Sequence, residues 1–124
     1  MHKDMILTLF SLAFLSSTAP AQAAKPQVSC SAVYRSLDER NNTVESTAEV
    51  PVKAVLGERI KHELSFAGRT FLLTEDRGDL FGQIVAPGDD AKGVSLKAAP
   101  DSLGHFSIAE ISGFTAYRLD CQRN

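Results

Sequence analysis

Apolar and polar residues alternate with a period of two in one segment after another of this 124-residue chain, and few folds accept that rhythm. Val28, Cys30, Ala32 and Tyr34 alternate with Ser29, Ser31 and Arg35. Val44, Ser46, Ala48, Val50, Val52 and Ala54 oppose Glu45, Thr47, Glu49 and Lys53, while Ile60, His62, Leu64 and Phe66 oppose Arg59, Lys61, Glu63 and Ser65. The same pattern returns at Val94, Leu96 and Ala98, and again at Tyr117, Leu119 and Cys121. Successive side chains of a strand point to opposite faces, so each segment reads as a strand with one face buried. Turn chemistry separates them at residues 38–42, Gly57, Ala67-Gly68, residues 75–79 and Pro87-Gly88-Asp89-Asp90. Pro51 falls on the outward set of the second strand, where its missing N–H predicts an edge or a bulge.

Eight strands at a spacing of about 8–12 residues predict an all-β fold. In an up-and-down meander of eight, the first and last strands run antiparallel and can close a barrel. Cys30 and Cys121 lie on the buried faces of those two strands. Pairing them places Ala32 opposite Leu119 and Tyr34 opposite Tyr117, which matches an apolar pair and an aromatic pair in one register. The expected fold is therefore a small antiparallel eight-stranded barrel closed by one disulfide. The alternative is a β-sandwich whose bridge crosses between sheets.

The first 23 residues stand apart. Lys3 precedes an apolar run over residues 5–15, then a breaker stretch at 16–20, and then Ala21-Gln22-Ala23. That order is a secretory signal peptide cut after Ala23, leaving residues 24–124 as a single domain. The run is too short for a spanning helix, which needs about 20 residues, so no membrane insertion is expected after cleavage. Export to a periplasmic or extracellular space permits the disulfide, and the short Ala-x-Ala ending points to a bacterial host.

Composition excludes several function classes. Without Lys3 and Asp4, the 13 basic and 15 acidic residues become 12 and 14, interspersed and with a net charge near −2. No basic stripe serves nucleic acid. His62 and His105 are far apart, and both cysteines are taken by the bridge, so neither a metal nor a cofactor is expected. His62 reads as a partly buried, hydrogen-bonded core residue. Glu110, on an otherwise apolar strand, is costly if it faces inward without an arginine, so a solvated position is expected. No nucleophile motif is present, and an enzyme is not expected.

The remaining candidates are loops: Asp76, Arg77 and Asp79 in one, Asp89 and Asp90 in another, and Ser112-Gly113 in a third. Small secreted eight-stranded barrels with a disulfide include the periplasmic lysozyme inhibitors, whose loop carries an S-G-x-x-Y motif. Ser112-Gly113-Phe114-Thr115-Ala116-Tyr117 is similar but one residue longer, an analogy of architecture without a family assignment. The expectation is a monomeric protein-binding or inhibitor-type module acting through such loops. A barrel holding a small apolar ligand is the alternative, and small inward residues (Ala48, Ala54, Gly82) would then leave the space. Mass analysis of the exported protein should find Ala24 or Lys25 at its start; a chain beginning at Met1 overturns the signal peptide.

Overall fold

The computed structural model describes residues 24–124; the predicted signal peptide, 1–23, lies outside the described residues, as do the side chains of residues 89–92. The described residues form nine strands: β1 (Val28–Leu37), β2 (Thr43–Val50), β3 (Val52–Leu56), β4 (Arg59–Phe66), β5 (Arg69–Asp76), β6 (Asp79–Ala86), β7 (Asp89–Lys97), β8 (His105–Ser112) and β9 (Thr115–Arg123). They form two antiparallel sheets, ordered β2-β1-β9-β8 and β3-β4-β5-β6-β7. The register of β1 against β9 is the one expected from the alternation: Cys30 faces Cys121, Ala32 faces Leu119 and Tyr34 faces Tyr117. The cysteines are bonded, with Cα atoms 4.1 Å apart. That separation belongs to a non-hydrogen-bonded antiparallel pair, where side chains approach most closely.

Nine strands replace the expected eight because of Pro51. The segment predicted as one strand over residues 44–54 is divided there into β2 and β3. Proline supplies no N–H for a ladder, and the Pro51 carbonyl instead accepts the Glu63 N–H at 3.1 Å. The register shifts again between Val52 and Ala54, so the chain leaves β1 and pairs with β4. At the opposite corner, β7 and β8 are the last strands of different sheets. Among the described residues no ladder joins them, and no closed barrel is formed.

Two turns are tighter than expected. Asp89 pairs with Ala86, so Asp89 and Asp90 begin β7 rather than extending the turn. Pro87-Gly88 suffices to reverse the chain, with Gly88 at φ 73°. The surplus residues are absorbed where the register jumps and Val85 faces Gly93. Gly93 has φ 148°, and a Cβ there would run into the Ile84 carbonyl, so only glycine fits. Glu75 is likewise not a turn residue but a buried position of β5. The turn that follows needs only Arg77-Gly78, both at positive φ as a two-residue hairpin requires.

The core lies between the sheets. Ala32, Leu119 and Ile108 from one meet Phe71, Leu73 and Ile84 from the other. Burying each large apolar side chain contributes about 2 kcal/mol. Gly82 sits where the sheets approach: a Cβ on it would stand 3.3 Å from Cδ1 of Ile108 and 3.4 Å from Cδ2 of Leu119. Its missing side chain is therefore filled by neighbours and leaves no chamber.

Alternating strand direction sorts the connections to two ends. Residues 24–27, 57–58, 77–78, 98–104 and 124 gather at a terminal end; residues 38–42, 67–68, 87–88 and 113–114 gather at a hairpin end. Replacing both cysteines by serine should cost about 3–5 kcal/mol, because the bridge closes a loop of nearly the whole domain. Urea unfolding checks this, and an unchanged midpoint would show the bridge to be dispensable.

Candidate functional site

The two-ended layout separates the sequence candidates. Asp76, Arg77 and Asp79 lie at the terminal end, whereas Asp89, Asp90, Ser112 and Gly113 lie at the hairpin end. They do not form one site.

At the terminal end the turn charges are matched locally. Arg59 reaches Asp76 at 3.3 Å, Arg77 reaches Glu58 at 3.0 Å, and Lys97 lies 3.8 Å from Asp79. Such exposed pairs are worth little each, and they leave these acids without a convergent task. Asp101 closes the 98–104 loop by accepting the N–H groups of Leu103 and His105, each at 2.9 Å. Those hydrogen bonds, the His105 one first, hold the Asp101 carboxyl below its ordinary range.

Beneath these turns lies a pair that sequence reasoning only half anticipated. Nε2 of His62 stands 2.6 Å from Oε2 of Glu75, and both side chains are more than nine-tenths buried. The other Glu75 oxygen accepts the Gln27 N–H at 3.0 Å. The Gln27 carbonyl in turn accepts the Asn124 N–H at 2.8 Å, which ties the segment before β1 to the segment after β9 beside the pair. His62 and Glu75 occupy diagonal positions on β4 and β5, since Ile60 faces Glu75 and His62 faces Leu73. The period-two pattern placed His62 inward correctly. Continuing the alternation Phe71, Leu73 by one more step would have placed Glu75 inward too.

The hairpin end is built differently. Glu110 faces inward after all, and its carboxylate meets Nε of Arg69 at 2.8 Å, joining β8 of one sheet to β5 of the other. The Arg69 guanidinium also lies 4.4 Å from the Tyr117 ring centroid, and Tyr117 contacts Tyr34 at 5.3 Å. The hydrogen bond that Arg69 donates to Glu110 raises the Arg69 pKa further. The expected solvation of Glu110 is thus replaced by the arginine partner that an inward carboxylate needs.

On this foundation stands the β8–β9 hairpin. Gly113, at φ 61°, turns the chain, and the Thr115 hydroxyl donates to the Ser112 carbonyl at 2.7 Å. The flanking apolar side chains are not covered: Ile111 is 77% exposed and Phe114 84%. Leu37, at the end of β1, is 42% exposed beside them. These residues, with Arg35, Thr43 and Gly113, line a shallow surface hollow of about 180 Å³. Arg35 is held by Glu45 at 2.6 Å across the β1–β2 ladder, and this contact lowers the Glu45 pKa. Of the sequence candidates, Ser112 and Gly113 therefore present an apolar tip on a braced sheet. Phe114, the residue at that tip, was named in the sequence only as part of a motif.

Glu110→Ala should cost about 1–3 kcal/mol, since it strands the Arg69 charge between the sheets. The double variant Arg69→Met/Glu110→Leu should recover most of that loss in urea unfolding. If the double variant is the less stable of the two, the ion pair itself supports the fold. No family model, curated protein or solved structure matches this chain.

Proposed function

We propose that this chain is a secreted or periplasmic protein-binding module of inhibitor type from a bacterial host, and that it engages its partner through the hairpin end. The observation that carries this reading is the exposure of Ile111 and Phe114 on one tight hairpin. Large apolar side chains grouped at a surface mark protein contacts, and aromatic anchors tend to dominate their energetics. The hairpin is also rigidly mounted, because β9 is tied to β1 through the full ladder and the disulfide. A preformed tip loses little conformational entropy on binding.

An oxidising compartment fits the disulfide. The meander order supports describing the two sheets as a flattened, open barrel, with Pro51 at one corner and the β7–β8 seam at the other. The filled space around Gly82 favours a surface contact over an apolar ligand held in the interior.

The test is affinity capture from the exported fraction of the source cells, using the mature protein immobilised through its C-terminus. The wild type should retain a protein at constant stoichiometry. Ile111→Ser/Phe114→Ser should reduce that capture at least about tenfold, as loss of hot-spot anchors does. Arg77→Ala/Asp79→Ala, at the opposite end, should leave capture unchanged. Equal capture by the hairpin variant, or loss in the terminal-end variant alone, overturns the assignment of the surface.

A further inference from the structure

β8 is the last strand of its sheet, and its free backbone groups can be assigned residue by residue. Ser112 and Thr115 flank a two-residue turn, so they form a hydrogen-bonded pair. Glu110–Tyr117, Ile108–Leu119 and Phe106–Cys121 follow as the other hydrogen-bonded pairs. The N–H and C=O groups of His105, Ser107, Ala109 and Ile111 therefore point away from β9. At His105 both are taken by Asp101, whose carboxylate accepts the His105 N–H and whose N–H donates to the His105 carbonyl, each at 2.9 Å. Among the described residues, those of Ser107, Ala109 and Ile111 meet neither a strand nor a loop. β7 does not seal this edge, because Leu96, facing Gly82 on its inner side, is 49% exposed.

The other three edges are guarded. β2 carries Glu45 and Glu49, β3 follows Pro51 and carries Lys53, and β7 is interrupted by a register shift. Charge, proline and irregular pairing are the usual protections against pairing between molecules. Ser107, Ala109 and Ile111 offer none of them, and all three are exposed. Glu110 is turned inward to Arg69. The three most exposed large apolar side chains among the described residues also flank this strand: Leu103 before it, Ile111 near its end and Phe114 just after it.

A row of N–H and C=O groups is complementary to another such row, and this one fits itself. We propose that the protein forms a two-fold dimer by antiparallel pairing of β8 with β8 of a second copy, Ala109 facing Ala109. Ser107 then faces Ile111 of the other copy, so every free group meets a free group. Moving the register one step sets Ile111 against His105, whose groups Asp101 already holds, or Ser107 against Gly113 in the turn. The proposed register places His105 level with Gly113 of the other copy. Leu103 of each copy is thereby brought to Ile111 and Phe114 of the other, and the apolar contact forms twice, as an isologous interface requires. Glu110 faces Ile108, so no two charges meet across the ladder. The second copy covers the tip that the proposed partner would use, so the two are alternative occupants, and the dimer does not rest on the partner reading.

The experiment is sedimentation velocity of the purified mature protein over a concentration series. The wild type should pass from monomer to dimer as concentration rises. Ala109→Lys and Ala109→Glu each set like charges face to face and should weaken association at least about tenfold. An equimolar mixture of the two should recover it to within about threefold of wild type, because opposite charges then meet on the axis. Leu103→Ser, outside the ladder, should weaken it about threefold or more. A wild type that stays monomeric throughout, an Ala109→Lys or Leu103→Ser dimer as tight as wild type, or a mixture no tighter than its components each refutes the pairing. Both Ala109 variants keep Ile111 and Phe114, so capture of a protein by them tests the hairpin reading separately from the dimer.

Discussion

The pairing of the first strand with the last is the constraint on which the other contacts depend. β1 and β9 meet over eight consecutive residue pairs, and the disulfide sits within that ladder. Without this pairing, the sheet β2-β1-β9-β8 separates into two hairpins, neither of which has enough apolar surface to be stable alone. With it, Ala32, Leu119 and Ile108 present one continuous face against Phe71, Leu73 and Ile84. Bringing together residues 91 apart in sequence is entropically among the most expensive contacts in the fold. A covalent bond at that place offsets the cost where it is largest, because it restricts the unfolded chain over nearly its whole length.

The second organising element is polar. The apolar core is bounded at each end by an inward ion or hydrogen-bonded pair, Arg69–Glu110 at the hairpin end and His62–Glu75 at the terminal end. Apolar contacts are tolerant of small slips, since one methyl replaces another. A carboxylate facing inward is not, because a displacement by one residue leaves it desolvated without a partner. Arg69–Glu110 fixes the distance between the sheets, and His62–Glu75 fixes the register of β4 against β5. Each pair is held further by a neighbour, Tyr117 in one case and the Gln27 amide in the other.

These elements were unequally legible in the sequence. The alternation at Cys30, Ala32 and Tyr34 was sufficient to give the β1–β9 register, because only one antiparallel sum matches cysteine, apolar and aromatic partners together. Pro51 was legible as an interruption but not as a change of sheet, since a missing N–H does not say which neighbour the carbonyl will find. Glu75 and Glu110 were misread for a common reason. An inward carboxylate looks unfavourable along its own strand, and its compensation comes from His62 on β4 or from Arg69 on the other sheet. Asp89 and Asp90 look like turn residues, yet the reversal is complete at Gly88 and the excess is taken up at Gly93. Phe114 carried no signal, because an apolar residue in a turn becomes informative only when the structure leaves it uncovered.

The two ends differ in how they use their stability, and that difference bears on function. At the terminal end Asn124 is hydrogen-bonded to Gln27 and Gln27 to Glu75, so the hollows there lie beside tied backbone. At the hairpin end the backbone is equally well paired, but Phe114 lies beyond the last ladder pair, Ser112 with Thr115, and Ile111 one pair before it, and both side chains are uncovered. Nothing in the folded domain rewards leaving about three-quarters or more of those side chains in water. Their exposure is a cost within the isolated chain, and it becomes a gain only when another surface covers them. An unburied aromatic on a hairpin tied into the β8–β9 ladder is the feature on which the proposed partner contact rests.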